Sequence, residues 1–143
     1  AALFAEQRDY YGIVTPGIYE AIQWIRDETP SDAVIGVSTV DDAPLGWWVE
    51  GLGERETLYA SPLQWLVYPD EIDRATTANE VFAPPFPTDA SMAAAREAGM
   101  TYVLVALGSN RIAPAELDAF LASNPEAVVY RGPDVLVLDP RAG

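Results

Sequence analysis

Three carboxylates that lie close together in the chain are the first candidates for chemistry. Asp41 and Asp42 are adjacent and follow a predicted strand, and Glu50 comes shortly after them. Paired carboxylates can transfer protons or hold Ca²⁺ or Mg²⁺. The sequence around them has neither the spacing of a calcium-binding loop nor another metal signature. We therefore interpret them as solvated loop charges and predict no catalytic residue and no metal site.

Aromatic residues lie on both sides of Glu50 in the sequence. The group spans 22 residues and consists of Trp47, Trp48, Tyr59, Trp65 and Tyr68. Aromatic rings bury large apolar areas in cores and interfaces, and exposed rings can also stack on sugars. On an extended chain the two adjacent tryptophans would point to opposite faces, one into the core and the other toward a partner. The candidate ligand-binding residues are therefore Trp47, Trp48, Glu50, Tyr59 and Trp65.

Composition excludes several classes of function. The chain has no Cys and no His, so a cysteine or histidine zinc site, a thiol nucleophile and a His-based triad cannot be formed from it. Its net charge is −14, with 22 acidic residues against 8 basic ones. This balance opposes binding to nucleic acid and to anionic lipid. The glycine-containing stretches at 51–53 and 108–110 match neither a dinucleotide fingerprint nor a P-loop, and we predict no cofactor.

The elements that must position these residues follow from hydrophobic spacing and turn signals. Apolar residues at helical spacing predict a helix from Pro16 to about Glu28, with Thr15 as its cap. Other predicted helices cover 70–82, 88–98 and a segment that begins near 114; strands are predicted at 33–38, 57–60, 101–106, 127–130 and 135–138. The segment 41–53 is predicted to be irregular or briefly helical.

This order predicts an α/β domain with a three-layer, mostly parallel, Rossmann-like sheet that ends in an antiparallel hairpin at its edge. A length of 143 residues suits one domain, which we place over residues 1–143. No apolar run approaches the roughly 20 residues that a membrane-spanning helix needs. Since the chain begins with Ala1 instead of Met, we expect it to be a fragment of a longer protein.

Two stretches resemble a known family. Residues 19–34 contain the phrase WIRDETPSDAV, and residues 46–60 contain WVEGLGER, in which Trp, Glu, Leu and Arg are spaced as W-x-E-x-L-x-x-R. Together they resemble the soluble C-terminal region of polytopic GT-C-type membrane glycosyltransferases and of related bacterial membrane proteins. Trp47-Trp48 is also similar to the start of an oligosaccharyltransferase motif, but Val49-Glu50-Gly51 departs from it.

The resemblance implies a non-catalytic, extracytoplasmic domain, tethered to the membrane by the rest of its parent chain. Its partner would be the transmembrane part of that chain, with a lipid-linked sugar or an acceptor nearby. In that family the catalytic acidic residues lie in loops between membrane spans, so none is carried over here. Two alternatives stay open: a free-standing domain that binds a carbohydrate or other small ligand, and a small hydrolase or transferase that uses Asp41, Asp42 and Glu50.

Overall fold

A computed structural model describes residues 14–37, 45–58, 68–107 and 112–142 of the chain. These residues form five α-helices and five β-strands. The helices are α1 (Pro16–Glu28), α2 (Leu45–Gly53), α3 (Pro69–Val81), α4 (Asp89–Glu97) and α5 (Pro114–Ser123); the strands are β1 (Val34–Val37), β2 (Glu56–Thr57), β3 (Tyr102–Ala106), β4 (Val128–Arg131) and β5 (Val135–Leu138). The α/β class that the sequence predicts is confirmed.

The described strands form a mixed sheet in the order β2-β1-β3-β5-β4. Strand β1 runs parallel to both β2 and β3, whereas β5 runs antiparallel to both β3 and β4. The predicted C-terminal hairpin is therefore present, with β4 at the edge of the sheet and β5 inside it. Strand β2 covers Glu56 and Thr57. The predicted strand covered 57–60, of which residues 59 and 60 lie outside the described residues.

Both faces of the central strands are buried. In β3, Leu104 points to one face and Val103 and Val105 point to the other, as the two-residue period of a strand requires. Helices α1 and α2 cover the first face, and α3, α4 and α5 cover the second. The nearly uninterrupted burial of β1, β3 and β5 explains why the sequence of these strands is apolar at every position instead of at alternate ones.

Local capping signals set most helix boundaries. The Thr15 side chain accepts a hydrogen bond from the backbone N–H of Ile18 and so caps α1. Thr88 and Ser91 form a reciprocal capping box at the start of α4. Gly99 follows the end of α4 with φ of +85°, a left-handed conformation that glycine adopts at low cost. These boundaries agree with the prediction because each depends only on residues close in sequence.

Candidate functional site

Helix α2 carries three of the five candidate ligand-binding residues. Trp47 and Trp48 lie on a helix and not on the extended chain assumed from the sequence, so their side chains are separated by about 100° around the helix axis. The Trp47 side chain is 38% exposed, whereas Trp48 is half-buried and packs against the core of the first face. Burial of Leu45 and Val49 anchors the helix beneath them. The helix thus holds one indole ring at the surface and the other against the core.

The remaining candidates cannot be placed in this site. Tyr59 and Trp65 lie outside the described residues, as do Asp41 and Asp42 of the carboxylate group. The described part of the site is therefore the surface of α2 with the loop and strand that follow it.

Glu50 has a structural contact within this part of the chain. Its carboxylate oxygen Oε1 accepts a hydrogen bond from the Thr57 hydroxyl at 2.7 Å and a longer one from the Thr57 backbone N–H at 3.4 Å. Thr57 is buried in β2, so its hydroxyl needs a partner inside the protein. Glu50 therefore ties helix α2 to strand β2.

The contact between Glu50 and Thr57 is expected to stabilise the fold. Replacing Glu50 with alanine leaves the buried Thr57 hydroxyl without its acceptor, and we expect the free energy of unfolding to fall by about 1–2 kcal/mol. Glutamine keeps an acceptor oxygen, so Glu50→Gln should cost less than Glu50→Ala. Urea unfolding measures both, with Glu20→Ala on the exposed surface of α1 as the control. A Glu50→Ala variant as stable as this control would contradict the structural role.

Arg55 joins the two sequence stretches that carry the family resemblance. Its guanidinium Nη2 donates to the backbone carbonyls of Arg26 and Thr29, at 2.7 Å each, and its Nε donates to the Thr29 hydroxyl at 3.1 Å. These acceptors lie at the C-terminal end of α1, where backbone carbonyls lack helical partners and a positive charge is favourable. Arg55 thus caps a helix that precedes it by 26 residues in sequence.

A second aromatic cluster lies on the same face of the sheet and was not identified from the sequence. The Trp24 ring on α1 lies 5.5 Å from the Tyr130 ring and 6.4 Å from the Tyr102 ring, measured between centroids. The Arg141 guanidinium lies 5.5 Å from the centre of the Tyr102 ring. The two-residue period of a strand, which places Tyr102 on the same face as Leu104, could have indicated the position of Tyr102 in this cluster. Its contact with Trp24 depends on how α1 packs on the sheet.

Asp139 fixes the Arg141 side chain of this cluster. Its two carboxylate oxygens accept hydrogen bonds from Arg141 Nε and Nη2, each at 3.0 Å. Burial raises the pKa of Asp139, but the hydrogen bonds from the Arg141 side chain and backbone N–H together lower it by more than burial raises it. The pKa of Asp139 in the folded chain therefore lies below its ordinary value. A carboxyl with a lowered pKa in the folded state stabilises the fold above its unfolded pKa, near 4, and loses this contribution as the pH falls through its folded pKa.

We therefore expect the effect of Asp139→Asn to depend on pH. At pH 7 the variant should be less stable than the parent chain by about 0.5–1 kcal/mol, since the pair is partly exposed. The difference should begin to shrink below about pH 4 and should vanish as the pH falls through the lowered pKa of Asp139 in the folded chain, where the parent chain also loses the carboxylate. Urea unfolding at pH 7 and pH 3 checks this. An equal difference at both pH values would contradict the assigned role of the carboxylate.

Two further properties of the described residues bear on function. Among them, no three acidic side chains converge in a way that could hold a metal ion. None of the helices in the same ranges is long and apolar enough to cross a membrane. The arrangement that the structure does show is an exposed indole on α2. Glu50 ties this helix to β2, and Arg55, in the loop after the helix, binds the C-terminal end of α1.

Comparisons with known proteins assign no family to the chain: no protein-family model matches it, and no curated protein is significantly similar to it. The family resemblance thus rests on the two stretches within residues 15–60 alone.

Proposed function

We propose that this chain is a non-catalytic, extracytoplasmic interaction domain of a membrane-anchored, glycosyltransferase-like protein. In this proposal the domain packs on the transmembrane part of its parent chain through the surface of α2. The exposed Trp47 ring contacts that part or a bound lipid-linked sugar or acceptor. The domain acts by recognition and supplies no acid, base or nucleophile to the transfer reaction.

The contact between the two resemblance stretches is the observation that carries this proposal. Arg55 is the last residue of the W-x-E-x-L-x-x-R phrase, and its acceptors Arg26 and Thr29 belong to the first phrase. Within the second phrase, Trp48 and Leu52 pack against the core, and Glu50 holds Thr57. Residues of both phrases thus contact one another or the same core. This shared packing gives a physical reason for the two phrases to occur together and supports treating them as one motif.

The surface of α2 supports the choice of interface. A tryptophan with more than a third of its side chain exposed leaves a large apolar area in water, and tryptophan is enriched where proteins bind partners. The helix below it is anchored by buried Leu45 and Val49, so the ring is held before a partner arrives. Binding then orders few additional side chains, which lowers its entropic cost.

The proposal also includes a finer assignment of the fold. We assign it to the three-layer, Rossmann-like group, because helices pack on both faces of β1 and β3 and these strands run parallel. In open sheets of this group, ligands bind beyond the carboxyl ends of the parallel strands. The residues that follow β1 and β3 there, 38–44 and 108–111, lie outside the described ranges.

The test begins with the reading frame that encodes the parent chain, and then uses site-specific crosslinking. A photoreactive residue at position 47 of the membrane-embedded parent protein should crosslink to its transmembrane part. The matched control is position 72, because Ile72 is equally exposed, at 38%, but lies on α3 at the other face of the sheet. A parent chain without membrane spans, or equal crosslinking from both positions, would overturn the proposal.

Carbohydrate binding by a free-standing domain is the second candidate, and the exposure of Trp47 favours it over the hydrolase hypothesis. Stacking of a pyranose on the indole would quench or shift the fluorescence of Trp47. Titration of the chain with oligosaccharides should then give a saturable change that Trp47→Ala abolishes and Trp24→Phe retains. Hydrolysis by Asp41, Asp42 and Glu50 has less support, since Glu50 is engaged with Thr57.

A further inference from the structure

Gly51 is a glycine that the described structure does not require. It lies within α2, it is exposed, and its φ is outside the left-handed region that favours glycine. Apart from the backbone of the helix itself, no atom of the described residues lies within 4 Å of the point where a Cβ would be attached. Glycine is less favourable than alanine inside a helix. Position 51 therefore weakens α2 with no compensating contact among the described residues.

Other glycines of the chain have a visible structural reason. Gly99 has a φ of +85°, and a Cβ at Gly53 would lie 3.2 Å from Ile22 Cγ2. Directly after α2, the residue with a left-handed φ of 51° is Glu54, so this segment lacks glycine at the position where the backbone favours it. The reason for glycine at position 51 must therefore come from a partner that approaches α2 from outside.

The surface around Gly51 has the shape of a contact site. Trp47 precedes Gly51 by four residues, so the two lie on the same side of α2, one helical turn apart. The Trp47 side chain is 38% exposed. A large ring next to a position without a side chain forms a step on the helix surface. Glycine at such a position lets the backbone of a second helix approach closely.

The charge of α2 indicates the chemistry of the partner. Glu50 is the only charged residue among the nine of α2, whereas each of the other four described helices contains between two and five. The Glu50 carboxylate already accepts a hydrogen bond from the Thr57 hydroxyl. Charged residues are depleted in the cores of interfaces, because their desolvation is costly. In a chain with a net charge of −14, α2 is thus the helix best suited to an apolar partner.

We propose that an apolar α-helix of the transmembrane part of the parent chain crosses α2 at Gly51 and packs its side chains against the Trp47 ring. This inference rests on the proposed function and names the kind of partner that the α2 surface binds. A helix fits better than a sugar, since sugar hydroxyls need polar partners and the one carboxylate of α2 is engaged with Thr57. A side chain at position 51 would push the helix away, because the side chains at the contact set the distance between helix axes.

Thermal unfolding of the 143-residue chain tests whether the fold needs Gly51. Gly51→Ala should raise the melting temperature by about 2–4 °C, because alanine favours the helix and its Cβ meets no other atom. The matched control is Gly99→Ala, which also adds a methyl group in open space but at a φ of +85°, and it should lower the melting temperature. A lower melting temperature for Gly51→Ala would show that the fold itself requires this glycine and would overturn the inference.

Disulfide crosslinking in the membrane-embedded parent protein identifies the partner. This chain has no cysteine, so Gly51→Cys gives it a single thiol. Further single cysteines are placed in turn along the outward ends of the membrane spans. A disulfide requires Cα atoms about 4.4–6.8 Å apart, so it reports close approach of the two backbones. Crosslinks should recur every three or four positions of one span, as in a helix. Crosslinks to a second copy of the chain, or none, would overturn the inference.

A bulky side chain at position 51 separates this inference from the proposed function. With the photoreactive residue at position 47, Gly51→Leu should lower the yield of crosslinking to the transmembrane part about fivefold, since overpacking costs a contact this much or more. Ala119→Leu, at an exposed position of α5 on the other face of the sheet, should leave the yield within about twofold. An unchanged yield in Gly51→Leu refutes the helix contact and leaves the proposed function intact. Absence of crosslinking from position 47 in the parent protein itself refutes both.

Discussion

Replacing Arg55 with alanine is expected to lower the free energy of unfolding by about 2–3 kcal/mol, in the upper part of the range of about 1.5–3 kcal/mol for hydrogen bonds to a charged group. The guanidinium donates to the backbone carbonyls of Arg26 and Thr29 and to the Thr29 hydroxyl. Thr29 is buried, so water cannot fully replace the lost Nε donor at its hydroxyl. Urea unfolding followed by circular dichroism gives the change, provided that the denaturant slope stays constant.

The chain offers a matched control for this substitution. Arg74 forms an ion pair with Glu56 at 2.7 Å, but both side chains are exposed. Arg74→Ala removes the same charge and the same number of atoms, and should cost less than about 1 kcal/mol. Arg55→Lys should fall between the two, because an ammonium group cannot reproduce the planar fork that reaches several acceptors at once. If Arg55→Ala and Arg74→Ala had the same cost, Arg55 would not hold α1 to the loop after α2.

Replacing Ile22 with alanine is expected to cost about 3–4 kcal/mol, within the range for truncating a buried isoleucine. Ile22 is fully buried in α1 and belongs to the core of the first face. Its Cγ2 atom also faces Gly53, the last residue of α2. The substitution therefore removes core packing and opens a cavity between the two helices that form this face. Ile72→Ala, at an exposed position of α3, should cost less than about 1 kcal/mol.

A double-mutant cycle tests whether this contact sets the approach of the two helices. A Cβ atom added at Gly53 would lie 3.2 Å from Ile22 Cγ2, closer than ordinary van der Waals contact. Gly53→Ala alone should therefore cost about 1 kcal/mol through overpacking. In the Ile22→Ala background the new methyl group fills vacated space, and the same substitution should be neutral or stabilising. Additive effects of the two substitutions would contradict direct contact between these positions.

The α/β class, most of the helices and strands and the terminal hairpin could be predicted from the sequence, because their signals are local. Thr15 and Pro16 start α1 through capping and a fixed backbone angle, and Gly99 ends α4 through its left-handed conformation. The apolar runs of β3 and β5 indicate strands that are covered on both faces. Each signal acts within a few residues, so a single sequence is enough to read it.

Helix α2 is the element for which local signals were insufficient. Its nine residues include three glycines, and glycine disfavours a helix by about 1 kcal/mol per residue relative to alanine. The sequence therefore indicated a segment that was irregular or briefly helical. Burial of Leu45 and Val49 against the core supplies the stabilisation that intrinsic propensity lacks. The directions of Trp47 and Trp48 follow from that packing, and an extended chain would have oriented them differently.

By itself, the sequence determined the α/β class, the acidic character and the chemical classes that a chain without Cys and His excludes. Only the tertiary structure decided what the motif residues do. It pairs Arg55 with the end of α1, Glu50 with Thr57, and Asp89 with Asn124. These partners are separated by 26, 7 and 35 residues, respectively. The helix and strand periods that predict secondary structure carry no information about such distances, because packing of the helices on the sheet brings the partners together.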